Sequence, residues 1–419
     1  MLGYGSAVIR ILFRLSLFFT AALAFLGASL LSSQPIASET PAPRAVDVGA
    51  SRMLAIRSIW AVRQNKPTDV SIRKEEIASA ARLISHSAPE LDFNAAILAD
   101  RLRAQASLRL AEHTWLNLSA HIAAQTPDGT ARIHARAGKV ALPPQLSEAA
   151  ANFLLAWLWA DQPQPPPTLD SMFTGVQFDP KKLQMTVDVP QELTRALRRL
   201  SGHASEVSTE AAWDTYAQLT EKADFLAEQP TLSALYRITF ADSPVAAEVA
   251  VGRTVGMAAA IVGPGVMQMA GAASTTTQVD APTILMAQLG GRNDLAKHFT
   301  LSAALATSNS GLGSALGEWK ELDDSLPGGS GFSFVDLTAD RAGLRLGQAL
   351  ADPARTARVQ ALLARAEPGD LLPPTALRRV EGLTDSEFEE DMGTINSERF
   401  RAVREQIDKE LDQLPLYAE

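Results

Sequence analysis

Side chains alternate with a period of two along Thr114–Ile122, which reads T-W-L-N-L-S-A-H-I. Trp115, Asn117 and Ser119 therefore fall on one face of an extended segment, and the leucines fall on the other. A helix, with 3.6 residues per turn, would mix the two sets. The pattern predicts a half-buried strand of an antiparallel sheet.

The surrounding residues, 46–202, predict an α+β sheet domain. Helical spacing predicts a helix over Lys74–Ile84, and an apolar stretch predicts a second helix over Ala149–Trp159, before the proline-rich loop Gln162–Pro167. The other segments that we expect to be extended are Arg103–Leu110, Ala131–Leu142, and the strand pair Gly175–Phe178 and Leu183–Val189. Antiparallel strands flanked by helices are typical of the α+β class.

Three histidines, His113, His121 and His134, fall within this predicted sheet. We interpret them as solvent-facing residues rather than a metal site, although the even spacing of His113 and His121 allows them to share a face. We interpret the apolar face of the sheet as the domain core, with lipid-tail binding as the alternative.

The N-terminus predicts export from the cytoplasm. Arg10 and Arg14 precede an uncharged run, Leu15–Leu31, and a polar, proline-bearing exit follows. This order is typical of a secretory signal or a signal anchor, which we place at residues 1–38. Positive charge before the run predicts a protein of the bacterial inner membrane that faces the periplasm, or a periplasmic protein if the segment is cleaved. The membrane would then be contacted through this N-terminal segment.

Composition excludes several classes of function. The 419 residues include no cysteine, which excludes disulfides, cysteine-ligated zinc, iron–sulfur clusters and a cysteine nucleophile. The net charge is −9, and no long basic tract occurs, so we expect no nucleic-acid partner.

Residues 203–289 predict a helical connector with a second apolar segment. Thr254–Ala273 carries no charge, but its apolar character comes mostly from alanine and glycine, and Gly263-Pro264-Gly265 interrupts it. We therefore expect a buried, broken helix rather than a second membrane span.

Residues 290–350 predict three helices with polar faces. We expect Asn293 to cap the first helix, on which Asp294, His298 and Ser302 share a face. The second helix carries Lys320, Glu321 and Asp324. The third begins near Ser333, after a glycine-rich loop, and has Asp336, Asp340, Gly343 and Gly347 on one side. Residues 351–419 predict a charged, amphipathic helical tail that packs on this block.

If these faces turn inward, one imidazole and several carboxylates meet. The candidate catalytic residues are His298, Glu321, Asp324, Asp336 and Asp340. Because buried like charges are costly unless neutralised, a divalent cation such as Mg²⁺, Mn²⁺ or Zn²⁺ is one expectation, and its bound water could attack a phosphoester or an amide. Another is a proton-shifted carboxylate that works with His298 as general acid or base.

Structural explanations compete with both chemical ones. Asp336 stands three residues after Ser333, so capping of its own helix could be its whole role. Lys320 and Asp324 could form an ordinary surface ion pair. The whole set could be a polar network that fixes three helices. Ser302 is not expected to be a nucleophile, because it shares a helix with His298 and no nucleophile-elbow motif is present.

Four spaced motifs in this block resemble a known family. They are D-x-x-K-H-F, K-E-x-x-D, G-G-S-G-F-S and D-L-x-x-D-x-x-G, and they resemble the YfiM-like lipoproteins and, more distantly, the VanZ-like membrane proteins. The whole chain also resembles a proteobacterial family of uncharacterised envelope proteins. The resemblance implies an envelope location and a site, but no reaction. It marks the candidate catalytic residues above, and as binding residues Asp294, Lys297, Lys320, Gly329 and Gly331, together with Gly343.

Two functions follow from these patterns. The first is a non-catalytic envelope protein that binds a lipid, a glycan or a protein partner, with the helical block as a scaffold. The alternative is a metal-dependent envelope hydrolase that uses His298 and the carboxylates. The hydrolase requires His298 and at least two of the carboxylates within reach of one ion.

Overall fold

The chain forms two compact units, each with its own arrangement of secondary structure. The computed structural model describes residues 29–37, 40–64, 66–124, 131–159, 164–190, 193, 206–221, 229–269, 283–307 and 312–418. The first unit comprises the chain up to Pro41 together with Ala50–Leu193, and the second comprises Ala42–Gly49 and Thr194–Glu419. Helix and antiparallel sheet are combined, as predicted. Residues 1–28 of the predicted signal or anchor segment lie outside the described residues.

Two antiparallel sheets build the first unit. The larger has the order β3-β4-β5-β6-β7, with the short β1 paired to β5, and the smaller has the order β2-β9-β8. The strands are β1 (Leu31–Ser32), β2 (Thr68–Arg73), β3 (Leu91–Ile97), β4 (Arg101–Ala111), β5 (Thr114–Ala124), β6 (Ala131–Ala137), β7 (Val140–Leu142), β8 (Phe173–Asp179) and β9 (Lys182–Val187).

Helices pack beside these sheets and complete the first unit. They are α1 (Ala45–Arg63), which begins in the second unit, α2 (Lys74–Ser87), α3 (Pro144–Leu158) and the short α4 (Leu169–Met172). Ile97 of β3, Val176 of β8 and Leu183 of β9 form a buried apolar cluster, with Leu102 of β4 against it. The apolar side of β3 and β4 is therefore core at this point.

Several predicted boundaries differ from the structure. The segment Ala131–Leu142 is not one strand, because Gly138, with a φ of 55°, turns the chain between β6 and β7. Helix α3 begins at Pro144, five residues before the predicted start, since proline is well tolerated in a first helical turn. The sequence analysis missed α1, whose polar and apolar residues follow no clean period, and β3, although Leu91–Ile97 reads L-D-F-N-A-A-I and alternates with a period of two.

The second unit is helical within the residues described. Its helices are α5 (Glu206–Glu221), α6 (Leu232–Thr239), α7 (Ala247–Val262), α8 (Gly265–Met269), α9 (Asn293–Ala306), α10 (Leu312–Asp324), α11 (Phe334–Ala351), α12 (Thr356–Leu363), α13 (Pro368–Leu371), α14 (Asp385–Met392) and α15 (Glu398–Asp412), with a 3₁₀ helix at Pro374–Arg378. Tyr236, Phe299 and Met257 are among its fully buried large side chains.

The uncharged segment after Thr254 is a broken helix, as predicted, in the part that is described. Helix α7 ends at Val262, Gly263 has a φ of 128°, and α8 starts at Gly265. Residues 255–261 are buried. Across the described part of the chain, no helix has both the length and the apolar character needed to cross a bilayer.

The C-terminal helices pack on the same unit. Phe388 of α14 and Phe400 of α15 are buried and contact Phe332, whose ring lies 4.3 Å from that of Phe388. The helical pattern breaks at Gly393, whose φ of 81° ends α14. Tyr417 is buried, and its hydroxyl donates to the carbonyl oxygen of Leu371 over 2.7 Å.

Candidate functional site

Three helices, α9, α10 and α11, enclose a polar cluster in the second unit. Their close approach depends on glycines: a Cβ on Gly343 or Gly347 of α11 would overlap a backbone carbonyl oxygen of α9. On α10, a Cβ at Gly317 would lie 3.1 Å from the carboxylate of Asp340. Glycine at these positions allows backbones and a carboxylate to approach where any side chain would intervene.

His298 of α9 stands at the centre of the cluster and is buried. Its Nδ1 lies 3.1 Å from Oδ2 of Asp340 and 3.8 Å from Oε1 of Glu321. Its Nε2 lies 3.0 Å from Nζ of Lys320 and 3.7 Å from Oδ2 of Asp336. A contact with an ammonium group requires a lone pair on Nε2, so this arrangement fits a neutral imidazole that donates from Nδ1 to Asp340.

Asp340 of α11 is held by two helix α9 side chains. Its Oδ1 accepts a hydrogen bond from the hydroxyl of Ser302 over 2.7 Å, and its Oδ2 faces His298. His298 and Ser302 are four residues apart on α9, so they lie one above the other on the same helix face. Ser302 therefore positions Asp340, and it does not face His298 as a nucleophile would.

Glu321 of α10 is fully buried and only half satisfied. Its Oε2 accepts from the backbone N–H of Ser333 over 2.9 Å. Its Oε1 is buried, has no hydrogen-bond partner among the described residues, and lies 3.8 Å from both His298 Nδ1 and Lys320 Nζ. A buried carboxylate oxygen without a partner is costly, so this atom requires a proton or a cation.

Asp336 is not used as a cap. The Ser333 hydroxyl caps α11, as predicted, by accepting from the backbone N–H of Asp336 over 3.0 Å. In a capping box, the Asp336 carboxylate would accept a hydrogen bond from the backbone N–H of Ser333. Here Glu321 of α10 accepts that hydrogen bond instead. The Asp336 carboxylate is thus left beside His298. Its Oδ1 is buried, lies 3.5 Å from Arg292 and has no hydrogen-bond partner within the described residues.

Burial dominates the ionisation of these groups. It raises the pKa of Glu321 to about 8, and the charge of Asp340 adds to the rise while His298 and Lys320 oppose it. Burial also raises the pKa of Asp336, against the opposing charge of His298. For His298, burial lowers the pKa, but the hydrogen bond and charge of Asp340 outweigh burial and leave the pKa above its ordinary value.

Lys320 and Asp324 form the solvent side of the cluster. Nζ of Lys320 lies 2.6 Å from Oδ2 of Asp324, the i,i+4 pair that the sequence predicts, and the lysine side chain is 45% exposed. Burial lowers the pKa of Lys320, but the hydrogen bond to Asp324 and the charges of the nearby carboxylates outweigh burial and leave the pKa above its ordinary value. This lysine therefore remains an ammonium. Asp324 thus pairs with Lys320 at the solvent side, whereas Glu321, Asp336 and Asp340 are the carboxylates that face His298.

The structure brings a metal-type ligand set together. One atom from each of His298, Glu321 and Asp340 lies within 4.8 Å of the others, and all three residues are buried. An ion with ligand bonds of about 2.1 Å in tetrahedral geometry needs ligand atoms about 3.4 Å apart. Because the three atoms lie within 4.8 Å of one another, each separation would have to change by at most about 1.4 Å to reach that spacing. One nitrogen and two carboxylate oxygens suit Zn²⁺ or Mn²⁺.

Four of the predicted binding residues lie outside this cluster. Asp294 is exposed and pairs with Arg292, which also binds Glu381 over 2.6 Å. Lys297 is half-buried, and within the described residues its side chain makes no hydrogen bond or ion pair. A Cβ on Gly329 or Gly331 would overlap backbone atoms of the chain itself, so these two glycines allow the loop to pack.

Sequence patterns also gave one wrong cap and missed two contributors. Asn293 is not the N-cap of α9: Arg292 occupies that position, and Asn293 Nδ2 donates to the carbonyl oxygen of Ala287. Gly317 could have been noticed, since it is one helical turn before Glu321 on the same face. The Arg292–Glu381 contact joins residues 89 positions apart, and no local pattern could reveal it.

No family model, no curated protein and no solved structure matches this chain, so its function has to be argued from the site itself.

Proposed function

We propose that the helical unit binds one divalent cation through His298, Glu321 and Asp340, and that the ion fixes the three helices as the scaffold of an exported or membrane-tethered envelope protein. The single observation that supports this is the buried Oε1 of Glu321, which has no hydrogen-bond partner and faces the other two ligand atoms. A cation at this point would complete the coordination of an otherwise orphaned oxygen.

The cluster provides both ligands and their supports. With an ion on Nδ1 of His298, the ring proton would sit on Nε2 and donate to Asp336, 3.7 Å away. The ammonium of Lys320, 3.0 Å from Nε2 without the ion, would then move away from the ring and keep its ion pair with Asp324. Ser302 would orient Asp340, and Ser333 N–H would orient Glu321. Such supporting hydrogen bonds are the usual surroundings of metal ligands.

Burial favours a structural role for the ion. His298 is 8%, Glu321 0% and Asp340 6% exposed, so an ion between them is closed off by the protein. Structural metal sites are closed in this way, whereas catalytic sites keep a position open to substrate.

The test is metal binding by the full chain and by isosteric variants. Chelator-treated wild type, Asp340→Asn and His298→Ala would be titrated calorimetrically with Zn²⁺ and with Mn²⁺, and bound metal counted by elemental analysis. We expect one equivalent for wild type and at least about 100-fold weaker binding for both variants. Asp324→Asn is the matched control, because it removes a carboxylate from the same cluster's rim, and its affinity should stay within about threefold.

Two results would contradict the metal site. One is substoichiometric metal in the wild type under saturating conditions. The other is equal binding by wild type and Asp340→Asn, since asparagine keeps the Ser302 hydrogen bond and removes only the charge. Helical content by circular dichroism would show that each variant is folded.

A second candidate is metal-dependent hydrolysis. It is favoured by the Asp336 carboxylate, which lies 3.7 Å from Nε2 of His298, and by the half-exposed Lys320 on the solvent side of the cluster. If Lys320 moves aside and admits water, that carboxylate could take a proton from the water. Metal-loaded wild type and Lys320→Met would be assayed on phosphoester and amide substrates, and the absence of turnover by both would leave the structural role.

The envelope location is a separate proposal. It is supported by Arg10, Arg14 and the uncharged run Leu15–Leu31. Fractionation of cells that express the chain with a C-terminal tag, followed by N-terminal sequencing of the product, would test export and cleavage. Recovery of the intact chain in the cytoplasm would contradict it.

A further inference from the structure

A cationic surface lies on the larger sheet of the first unit, far along the chain from the helical cluster. Successive side chains of a strand point to opposite faces, and the pairing register places Arg103 of β4, His121 of β5 and His134 of β6 side by side. The row before them holds Arg101, Ala123 and Arg132, and the row after holds Gln105, Ser119 and Arg136. Four arginines and two histidines thus share one face, which we name the arginine–histidine face.

The histidines of the sheet were predicted to face solvent, and His113 and His134 are exposed, whereas His121 is half-buried. His121 and His134 are directly paired across neighbouring strands. Residues directly opposite each other have Cβ atoms about 5 Å apart, so their rings can contact one ligand. His113 does not join them: it lies in the turn between β4 and β5, exposed, near Glu112.

The positive charge of this face is largely uncompensated. Arg101 is paired with the adjacent Asp100, but Arg103, Arg132 and Arg136 have no ion pair within the described part of the chain. The nine positions of the three rows hold no carboxylate. Burial, and then the charges of Arg101, Arg103 and His134, lower the pKa of His121. Such a surface is unusual on a chain whose net charge is −9.

Two of its donors lack acceptors. Within the described part of the chain, Nε of Arg103 and Nδ1 of His121 are both buried and have no hydrogen-bond partner. These residues are direct cross-strand neighbours. A buried guanidinium N–H without an acceptor is unfavourable, so the pair is arranged for an anionic oxygen from outside the chain.

We infer that the arginine–histidine face binds a phosphate group, held by Arg103 and His121 at the centre and by Arg132, His134 and Arg136 around it. Guanidinium groups bind phosphate oxygens in pairs of parallel hydrogen bonds. A phosphate offers three or more oxygens and up to two charges, which matches this number of donors better than a carboxylate does. The group could belong to a free phosphate compound or to a lipid headgroup, and the test separates these sources.

The experiment follows the histidine ring signals of the full chain by NMR in uncharged detergent micelles. One arm adds inorganic phosphate. A second arm adds phosphatidylglycerol to the micelles, and a third adds diacylglycerol, which has the same chains without phosphate. We expect saturable shifts of the His121 and His134 signals with phosphate or phosphatidylglycerol. A response to inorganic phosphate assigns a free phosphate ligand, and a response to phosphatidylglycerol alone assigns a lipid headgroup.

Variants establish that the face itself is responsible. Arg103→Gln and Arg136→Gln should each weaken binding by about tenfold or more, and Arg136 is exposed, so its replacement cannot unfold the sheet. Arg109→Gln is the matched control, because Arg109 lies on β4 but is already paired with Glu90, and its binding should stay within about twofold of wild type.

Three outcomes would overturn the inference. These are the absence of shifts in both phosphate arms, equal shifts with diacylglycerol, and wild-type affinity in both Arg103→Gln and Arg136→Gln. None of them depends on the metal site.

Discussion

Replacing Glu321 with glutamine should remove a pH dependence from the stability of the metal-free helical unit. The pKa of Glu321 is raised from its ordinary 4.5 to about 8, so the folded state holds this proton more tightly than the unfolded state does. Stability from this group is present at low pH and is lost as pH rises from the unfolded value through the folded one. Asp336 and His298 also have raised pKa values, and they act in the same direction.

The size of the effect follows from the two values. Each unit of pKa difference corresponds to about 1.4 kcal/mol, so between pH 5 and pH 8 the free energy of unfolding should fall by about 3 to 4 kcal/mol through Glu321. Glutamine is a close match for the protonated acid: its oxygen can still accept from Ser333 N–H, and no charge remains at the position of Oε1. Glu321→Gln should therefore be more stable than wild type at pH 8 and nearly equal to it at pH 5.

Hydrogen exchange of backbone amides in α10 and α11 measures this free energy within the unit concerned. Chelator-treated wild type and Glu321→Gln would be compared at pH 5 and pH 8 after correction for intrinsic exchange rates. Glu390→Gln, which changes an exposed residue of α14, is the control and should follow wild type. The same fall in stability for wild type and Glu321→Gln would refute the assignment of the buried proton to Glu321.

Two packing predictions follow from the same unit. Gly343→Ala would place a Cβ against the carbonyl oxygen of Phe299 and should destabilise the unit by about 1 to 3 kcal/mol. Gly369→Ala is the control: an added Cβ would meet no described atom within 4 Å, so stability should change by less than about 0.5 kcal/mol. Equal urea midpoints for the two variants would contradict the close helix approach. Tyr417→Phe leaves the carbonyl oxygen of Leu371 without its donor and should cost about 1 to 3 kcal/mol in thermal or urea unfolding, and an unchanged midpoint would show that this end of the chain does not anchor the fold.

The elements with a clean period could be predicted from the sequence, and those without one could not. The alternation at Thr114–Ile122 predicted β5, and the spacing after Lys74 predicted α2, because each pattern repeats with the period of its own secondary structure. Ser333 predicted the start of α11 through the side chain of a single residue. The strand β3 carries the same kind of alternation, L-D-F-N-A-A-I, and could have been predicted from it, whereas α1 has no clean period.

Part of each site could be predicted in the same way. A spacing of four residues, about one helical turn, places His298 with Ser302 and Asp336 with Asp340, so each helix shows its polar face locally. Whether those faces meet is a matter of helix packing, and the glycines of α10 and α11 permit it only if the helices cross at those residues. The backbone N–H of Ser333 donates to Glu321 of α10 rather than to Asp336 of its own helix, so this hydrogen bond joins two helices. A capping pattern taken from one helix assigns the hydrogen bond to the wrong carboxylate.

What the sequence by itself determined is the list of participants: an α+β class, three polar helix faces, and the residues on them. What only the tertiary structure decided is which atoms are left unsatisfied. The orphaned oxygen of Glu321 and the orphaned donors of Arg103 and His121 arise because burial removes water from a group whose partners lie on other helices or strands. A hydrogen-bond partner that is missing in three dimensions has no local pattern in the sequence, and both sites proposed for this protein rest on such atoms.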